Sequence, residues 1–344
     1  MPVVRTADFD YDLPAGLIAQ QARPRGTSRL LVLDRVSGRT SVGRFSALPA
    51  LLQPTDLLVL NDVRVIPARL RARRPGGGGV ELLLVRPAGG GAWEAMARPS
   101  KRLRPGVALT LAGGTATPTE RVDEGRWLVA FDPPLDAELL STVGEVPLPP
   151  YILRRRGPDE ADRERYQTVY AAAGRAVAAP TAGLHFTPEL LAAVEDRGVE
   201  IARVTLHVGP GTFKPVQADD PRDHRLDGED YELSAAAAAA LNRALAAGRR
   251  VVCVGTTSCR AVEHAVVAGG GRARPSLARA DLFILPGSRF RAVSALLTNF
   301  HLPRSTLLML VSALAGRERV LAAYRLAVAS GFRFYSYGDA MLVA

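Results

Sequence analysis

Cysteine is almost absent from this chain. Cys253 and Cys259 are the only two in 344 residues, too few for a disulfide framework and not spaced as a zinc knuckle. Cys253 falls in an apolar strand pattern, where a thiol behaves as a small buried hydrophobe, so a reducing compartment, the cytoplasm, is expected. Long hydrophobic runs are missing too. The most apolar stretch, residues 307–315, is far shorter than the ~20 residues a membrane span needs, so it reads as a buried helix and no membrane partner is expected. Asp8, Asp10 and Asp12 stand where the apolar core of a targeting peptide would lie. No Gly-x-Gly-x-x-Gly motif occurs, which argues against a Rossmann-type methyltransferase. No two histidines stand at helical i, i+4 spacing beside a carboxylate cluster, so no metal is expected. Lysine is as scarce as cysteine: of 44 basic residues only Lys101 and Lys214 are lysine.

What is present is ordinary globular material, 47% hydrophobic and 23% charged, with an excess of basic over acidic residues that gives a net charge of +10. Such a charge favours a polyanionic partner, because neutralising phosphates supplies most sequence-independent affinity for nucleic acid. Part of it is simple arginine bias, but the clusters Arg69, Arg71, Arg73, Arg74 and Arg154, Arg155, Arg156 strengthen the reading.

Along the chain the texture changes twice. Up to residue 67 a short helix at 14–21 precedes two apolar strand patterns, 30–33 and 57–60. From 68 to about 131, short strand-like runs (68–73, 80–85, 93–98, 107–111, 127–131) are broken by glycine and proline, the spacing of a small five- or six-stranded barrel. After Pro149-Pro150, strands and helices alternate. Thr187 caps a helix that starts at Pro188 and ends near Arg197, and Ser234 caps an alanine-rich helix ending near Gly248. Strands follow at 201–208 and 251–254, and helices at 261–268 and 306–315. The fold class is therefore α/β. Residues 1–67 and 148–344 form an α/β domain, and residues 68–147 an inserted all-β barrel.

Four strand-to-loop junctions of the α/β part are rich in Gly, Thr, Ser, Asn and His. They contain Thr181, Gly183 and His185; His207, Gly209, Gly211 and Thr212; Thr256, Thr257, Ser258 and Arg260; and Thr298, Asn299 and His301. Ligands of α/β sheets bind beyond the carboxyl ends of strands, where such loops collect. Any one junction reads as ordinary caps and turns; four together point to a site. The hydroxyls and N–H groups of residues 256–258 suit a carboxylate or the hydroxyls of a ligand. For His185, His207 and His301 a catalytic base, a substrate hydrogen bond and a structural imidazole all remain open. His264 lies within a helix pattern and reads as structural.

At these junctions the sequence closely resembles the S-adenosylmethionine:tRNA ribosyltransferase-isomerase family. So do Phe9-Asp10-Tyr11-Asp12-Leu13-Pro14, the stretch from Leu60 through Asp62 and Arg64 to Arg69, Arg98-Pro99 with Lys101-Arg102-Leu103, and the C-terminal stretch from Phe334 through Asp339 to Leu342. The resemblance runs in order from residue 8 to residue 342. It implies transfer and isomerisation of the ribosyl group of S-adenosylmethionine onto 7-aminomethyl-7-deazaguanine at the tRNA wobble position, giving epoxyqueuosine with release of adenine and methionine. The partners implied are tRNA and S-adenosylmethionine. The latter is a consumed co-substrate, no cofactor is bound, and the protein is expected to be a monomer. The candidate catalytic residues are His185, His207, Glu229 and His301. Substrate contacts fall to Asp62, Arg64, Lys101, Asp339 and the junction residues Thr181, Gly183, Gly209, Gly211, Thr212, Thr256, Thr257, Ser258, Arg260, Thr298 and Asn299.

Two segments depart from the family pattern. Where His-x-Met-His-x-Glu is usual, this chain has His224-Arg225-Leu226-Asp227-Gly228-Glu229, which replaces a histidine by a carboxylate and moves the local field toward negative. Where Trp-Thr-Asp is usual before a strand at Phe283-Ile284, it has Arg279-Ala280-Asp281. Two alternatives follow: a paralogue using the same chemistry on another, small-molecule amine, and a non-catalytic RNA-binding protein that keeps the scaffold.

Overall fold

The centre of the molecule is a run of strands with no polar face. Leu57–Asn61, Val251–Val254 and Ala295–Asn299 are buried at every position, as parallel strands covered on both sides must be. Their side chains alternate between two cores. Leu57, Val59, Val251, Cys253 and Leu296 enter one, packed by the helices Ala235–Ala246, Gly255–Ala268, Thr306–Ala315 and Arg317–Ala329. Leu58, Leu60, Val252, Val254 and Leu297 enter the other, beneath the helix Pro188–Asp196 and the turn around Phe45 and Leu48. The computed structural model describes residues 4–123, 125–154, 157–209, 211 and 216–344.

Among the described residues nine strands make this sheet, in the order Ser276–Ala280, Glu229–Leu233, Glu200–Leu206, Leu57–Asn61, Val251–Val254, Ala295–Asn299, Ala340–Val343, Arg29–Leu33, Thr40–Arg44. Glu200–Leu206 through Ala295–Asn299 run parallel, so Leu206, Asn61, Val254 and Asn299 all end at one edge. Ala340–Val343 runs antiparallel to its neighbour, with Asn299 opposite Ala340, and brings residues 335–339 to the same edge. A second sheet closes into an antiparallel barrel from Arg69–Arg73, Gly79–Gly89, Ala92–Arg98, Arg126–Asp132, Gly114–Arg121 and Leu109–Leu111, with Arg73 pairing Thr110 at the seam. Its core is filled by Leu70, Leu82, Leu84, Trp127 and Val129, among others. Among the described residues no helix is long and apolar enough to cross a membrane.

The expected α/β class with a β-barrel is what the structure contains. Several elements differ in detail. The helix expected at 14–21 is one 3-10 turn, Ala15–Leu17, between Pro14 and Ile18. The barrel strand Gly114–Arg121 lacks an apolar pattern and carries Pro118, which the ladder tolerates through an irregularity opposite Leu128 and Val129. The edge strand Thr40–Arg44 is exposed throughout and shows no alternation. The helix expected from 261 begins at Gly255, so Thr256, Thr257 and Ser258 form its first turn. The strand lies at Ser276–Ala280 rather than at Phe283-Ile284.

Asp339 anchors the loop that returns to the site. It is fully buried, and its two oxygens accept the backbone N–H groups of Arg29 at 2.9 Å and Arg333 at 2.8 Å. Leaving a buried donor unpaired costs about 1–3 kcal/mol, so Asp339→Ala is expected to lower unfolding stability by about 2–4 kcal/mol. Asp339→Asn, which keeps one good acceptor, is expected to lose less. Urea-unfolding midpoints of the two variants check the order.

Candidate active site

Two adjoining clefts open where the parallel strands end. The first, of about 760 Å³, lies above Val254 and Asn299 and is lined by Thr181, Thr256, Thr257, Thr298, Asn299 and His301, with apolar walls that include Val208 and Leu307. Thr181 reaches it because the turn Thr181–His185 is drawn tight under Tyr170: a Cβ on Gly183 would lie 2.0 Å from the Tyr170 hydroxyl. Asn299 is held by Nδ2, which donates to the Tyr335 carbonyl at 3.0 Å. Thr298 Oγ1 meets His301 Nε2 at 2.8 Å, and the His301 N–H donates to Tyr324 Oη at 3.1 Å. Burial pushes the His301 imidazole down to about 3. His185 lies behind this cleft, its Nδ1 3.0 Å from Ser28 Oγ and its ring against Phe45. Burial, with Arg25 nearby, pushes it down to about 4. Both rings are therefore neutral at pH 7.

The second cleft, of about 1010 Å³, lies between the sheet edge and the barrel. The sheet side supplies His207, Gly209, Gly211, Asp227, Glu229 and Arg260; the barrel supplies Arg86, Glu94 and Arg126. Glu229 and Arg260 form a buried ion pair at 2.6 Å, and the second Glu229 oxygen accepts the Gly209 N–H at 2.9 Å. Burial raises the Glu229 carboxyl above its usual range, opposed by Arg260 and by the Gly209 N–H. His207 is half-buried; its Nδ1 sits against the Arg175 backbone at 3.0–3.1 Å, and Nε2 has no partner among the described residues.

Asp227 corrects an expectation. Its carboxylate is ion-paired with Arg126 of the barrel, which also holds Glu94 at 3.2 Å and Asp123 at 3.5 Å. The negative charge that replaces the family histidine thus faces a cation, and the net field of the cleft does not follow from the loop alone. Arg126 is the functional candidate that sequence reading missed. It opens the strand Arg126–Asp132, 101 residues from Asp227, with no motif around it.

The remaining described candidates line neither cleft. Asp62 accepts the Thr205 hydroxyl at 2.6 Å, Arg64 donates to the Ala171 carbonyl, and the Ser258 hydroxyl donates to the Val254 carbonyl within its own helix. Lys101 is exposed on the barrel, and Asp339 is the buried anchor described above. Thr212 lies outside the described residues, as do Arg155, Arg156 and Lys214. The arginine clusters are partly consumed by structure: Arg71 pairs with Glu145, Arg154 with Asp162, and Arg69 lies 3.8 Å from Glu81. Among the described residues no group of three or more His, Cys, Asp or Glu side chains is placed to hold a metal.

Comparison with known proteins agrees along the whole length. The family described as queuosine biosynthesis protein matches residues 6–343. A protein of Anaeromyxobacter sp. (strain Fw109-5) named S-adenosylmethionine:tRNA ribosyltransferase-isomerase is 53% identical over 99% of this chain and 99% of its own. One of the same name from Geotalea uraniireducens (strain Rf4) is 52% identical over 98% of each. The crystal structure of S-adenosylmethionine tRNA ribosyltransferase from Thermotoga maritima is similar with a TM-score of 0.56 and 36% identity, covering 98% of this chain and 100% of that one.

The two depressed histidines make stability depend on pH in a stated direction. Each has a folded pKa, about 4 for His185 and about 3 for His301, below the ~6.5 of an unfolded chain. Their contribution is therefore fully present above about pH 6.5 and is lost as pH falls through 4 toward 3. Thermal unfolding is expected to show stability dropping over that window. The slope should be shallower in a His185→Gln, His301→Gln double variant; an unchanged slope would mean that neither ring titrates in this way.

Proposed function

The chain belongs to the queuosine biosynthesis protein family, and from that premise we propose that it transfers and isomerises the ribosyl group of S-adenosylmethionine onto 7-aminomethyl-7-deazaguanine in tRNA, releasing adenine and methionine and leaving epoxyqueuosine. The observation that carries this reading is 53% identity, end to end, with a relative bearing that enzyme name. Geometry supports it: loops far apart in sequence meet at two adjoining clefts, one beyond the sheet edge and one between that edge and the barrel. S-adenosylmethionine is consumed, so the reaction needs no resident cofactor. The sulfonium acidifies the ribose 5′ hydrogens; a base removes one, adenine leaves, the substrate amine attacks, and closure of the epoxide expels methionine.

Of the four candidate bases, His207 fits best. His185 and His301 are poor proton acceptors at neutral pH because burial disfavours their charged forms. Glu229 is held by Arg260 and the Gly209 N–H. His207 keeps Nε2 without a partner among the described residues, in the cleft wall adjoining Val208 of the first cavity. For tRNA we propose the barrel turn carrying Arg98, Lys101, Arg102 and Arg104, all exposed, and none with an acidic partner among the described residues. The protein would act in the cytoplasm as a monomer, with residues 68–147 as a barrel domain inserted between 1–67 and 148–344. The Asp227–Arg126 pair weakens the case for a paralogue acting on a small amine, since the charge that motivated it is neutralised.

Labelled S-adenosylmethionine incubated with unmodified tRNA and with tRNA carrying the aminomethyl base tests this. Adenine release is expected only with the latter. Release with a free small amine would favour the paralogue, and no release under any condition would leave an RNA-binding scaffold. His207→Ala is expected to lower kcat by about 10²-fold or more. Neutralising Lys101 and Arg102 should flatten the plot of log affinity for tRNA against log salt by about 0.7–0.9 for each phosphate that is no longer neutralised. An unchanged slope would move the RNA elsewhere.

A further inference from the structure

Asn299 ends a central strand and is only 2% exposed, yet its side chain is half satisfied. Its Nδ2 donates to the Tyr335 carbonyl at 3.0 Å and lies 3.3 Å from His185 Nε2. The His185 ring is neutral, and with its Nδ1 proton directed to Ser28 Oγ its Nε2 is an acceptor. Both amide hydrogens are thereby used, which fixes the amide orientation. The oxygen, Oδ1, is buried with no hydrogen-bond partner among the described residues, and Asn299 lines the first cleft. Buried polar groups are almost always paired, so this acceptor points to a donor that arrives with a ligand.

The neighbouring strand supplies the complementary half. Val254 stands opposite Leu297, so the helix Gly255–Ala268 begins about one strand spacing, ~4.8 Å, from the end of the Asn299 strand. No side chain caps this helix, and Thr256 and Thr257 of its first turn line the same cleft. Free N–H groups at a helix start attract an anion. A lone acceptor beside an anion-binding helix end is the complement of an ammonium beside a carboxylate. The walls between them, Val208, Leu302 and Leu307, suit a thioether chain.

We infer that the first cleft seats the α-amino-acid end of S-adenosylmethionine, its ammonium on Asn299 Oδ1 and its carboxylate on the first turn of the helix Gly255–Ala268. This rests on the proposed reaction for the identity of the substrate and adds its direction. The ribose and adenine then extend toward loop 207–211 and the second cleft, and released methionine occupies the place from which the next substrate must displace it.

The test uses wild-type protein first. L-methionine is expected to raise the melting temperature and to compete with S-adenosylmethionine. Methioninol, lacking the carboxylate, and 4-(methylthio)butanoate, lacking the ammonium, are each expected to bind at least ~10-fold more weakly. Asn299→Ala should raise the KM for S-adenosylmethionine at least ~10-fold and abolish the preference for methionine over 4-(methylthio)butanoate, leaving adenosine affinity unchanged. Equal binding of L-methionine and its two analogues to the wild type would overturn the inference without any variant. Loss of adenosine binding with methionine untouched in Asn299→Ala would overturn it by placing the nucleoside in this cleft. Adenine release by the wild type in the presence of tRNA is scored separately. If it occurs while the analogues bind alike, the direction assigned here is wrong and the proposed reaction stands; if it never occurs, the reaction itself is wrong.

Discussion

A sheet buried on both faces has polar groups to satisfy wherever its strands stop, and in this protein two asparagines carry that task. Asn61 Oδ1 accepts the Leu206 N–H at 3.0 Å and the Val63 N–H at 3.2 Å, while its Nδ2 donates to the Leu206 carbonyl at 3.1 Å. The ends of two parallel strands are thus tied by one side chain. Asn299 does the same two strands away, joining the end of its strand to the 335–336 loop and to His185. The difference between them decides where chemistry is available. Asn61 is saturated by the protein, whereas Asn299 keeps an oxygen in reserve. The loops that look alike as sequence are therefore not equivalent. Those around Asn299 and Thr256 border open space, and Asp62 is closed off by Thr205.

The barrel is attached by charge as well as by packing. Arg126–Asp227 joins it to the loop that carries Glu229, and Arg71–Glu145 and the Arg69 bond to the Leu148 carbonyl secure its return strand. Glu229 belongs to the same system, since burial and, less strongly, Asp227 raise its carboxyl while Arg260 and the Gly209 N–H lower it. The buried Glu229–Arg260 pair at its centre contributes little net stability but is costly to break on one side. Such pairs fix geometry more than they strengthen the fold, which suits a cleft that has one wall on each sheet. A histidine exchanged for an aspartate is a large change in isolation. Beside an arginine that also serves Glu94, it is a change of partner.

How much of this was readable in the sequence depended on the range of the interaction involved. Local signals were legible: Thr187 and Ser234 as caps, and the apolar run along 57–60. So was the collection of four loops at one edge, because strand direction in an α/β sheet dictates it. What was not legible was set by distant partners. Nothing near Arg126 marks it as the partner of Asp227, and nothing near Asp339 reveals that both its oxygens are spent on the N–H groups of Arg29 and Arg333. The strands Thr40–Arg44 and Gly114–Arg121 form because neighbours offer hydrogen bonds, not because their own residues alternate.

The three loop histidines make the same point about chemistry. Each sits in a short run marked by glycine or proline beside a strand, and sequence alone left base, ligand contact and structural ring open for all of them. Their surroundings separate them. His185 is enclosed by Phe45, Ser28 and Asn299 and works as a neutral acceptor that orients an amide. His301 is buried at the cavity wall with Thr298 on Nε2, suited to a neutral hydrogen bond. His207 alone is half-buried, anchored through one nitrogen by the Arg175 backbone and open at the other. A base must change charge during turnover, and an imidazole can do so cheaply only where water or a charged partner can reach it. Burial therefore keeps His185 and His301 neutral and leaves His207 as the ring of the three that the fold did not enclose.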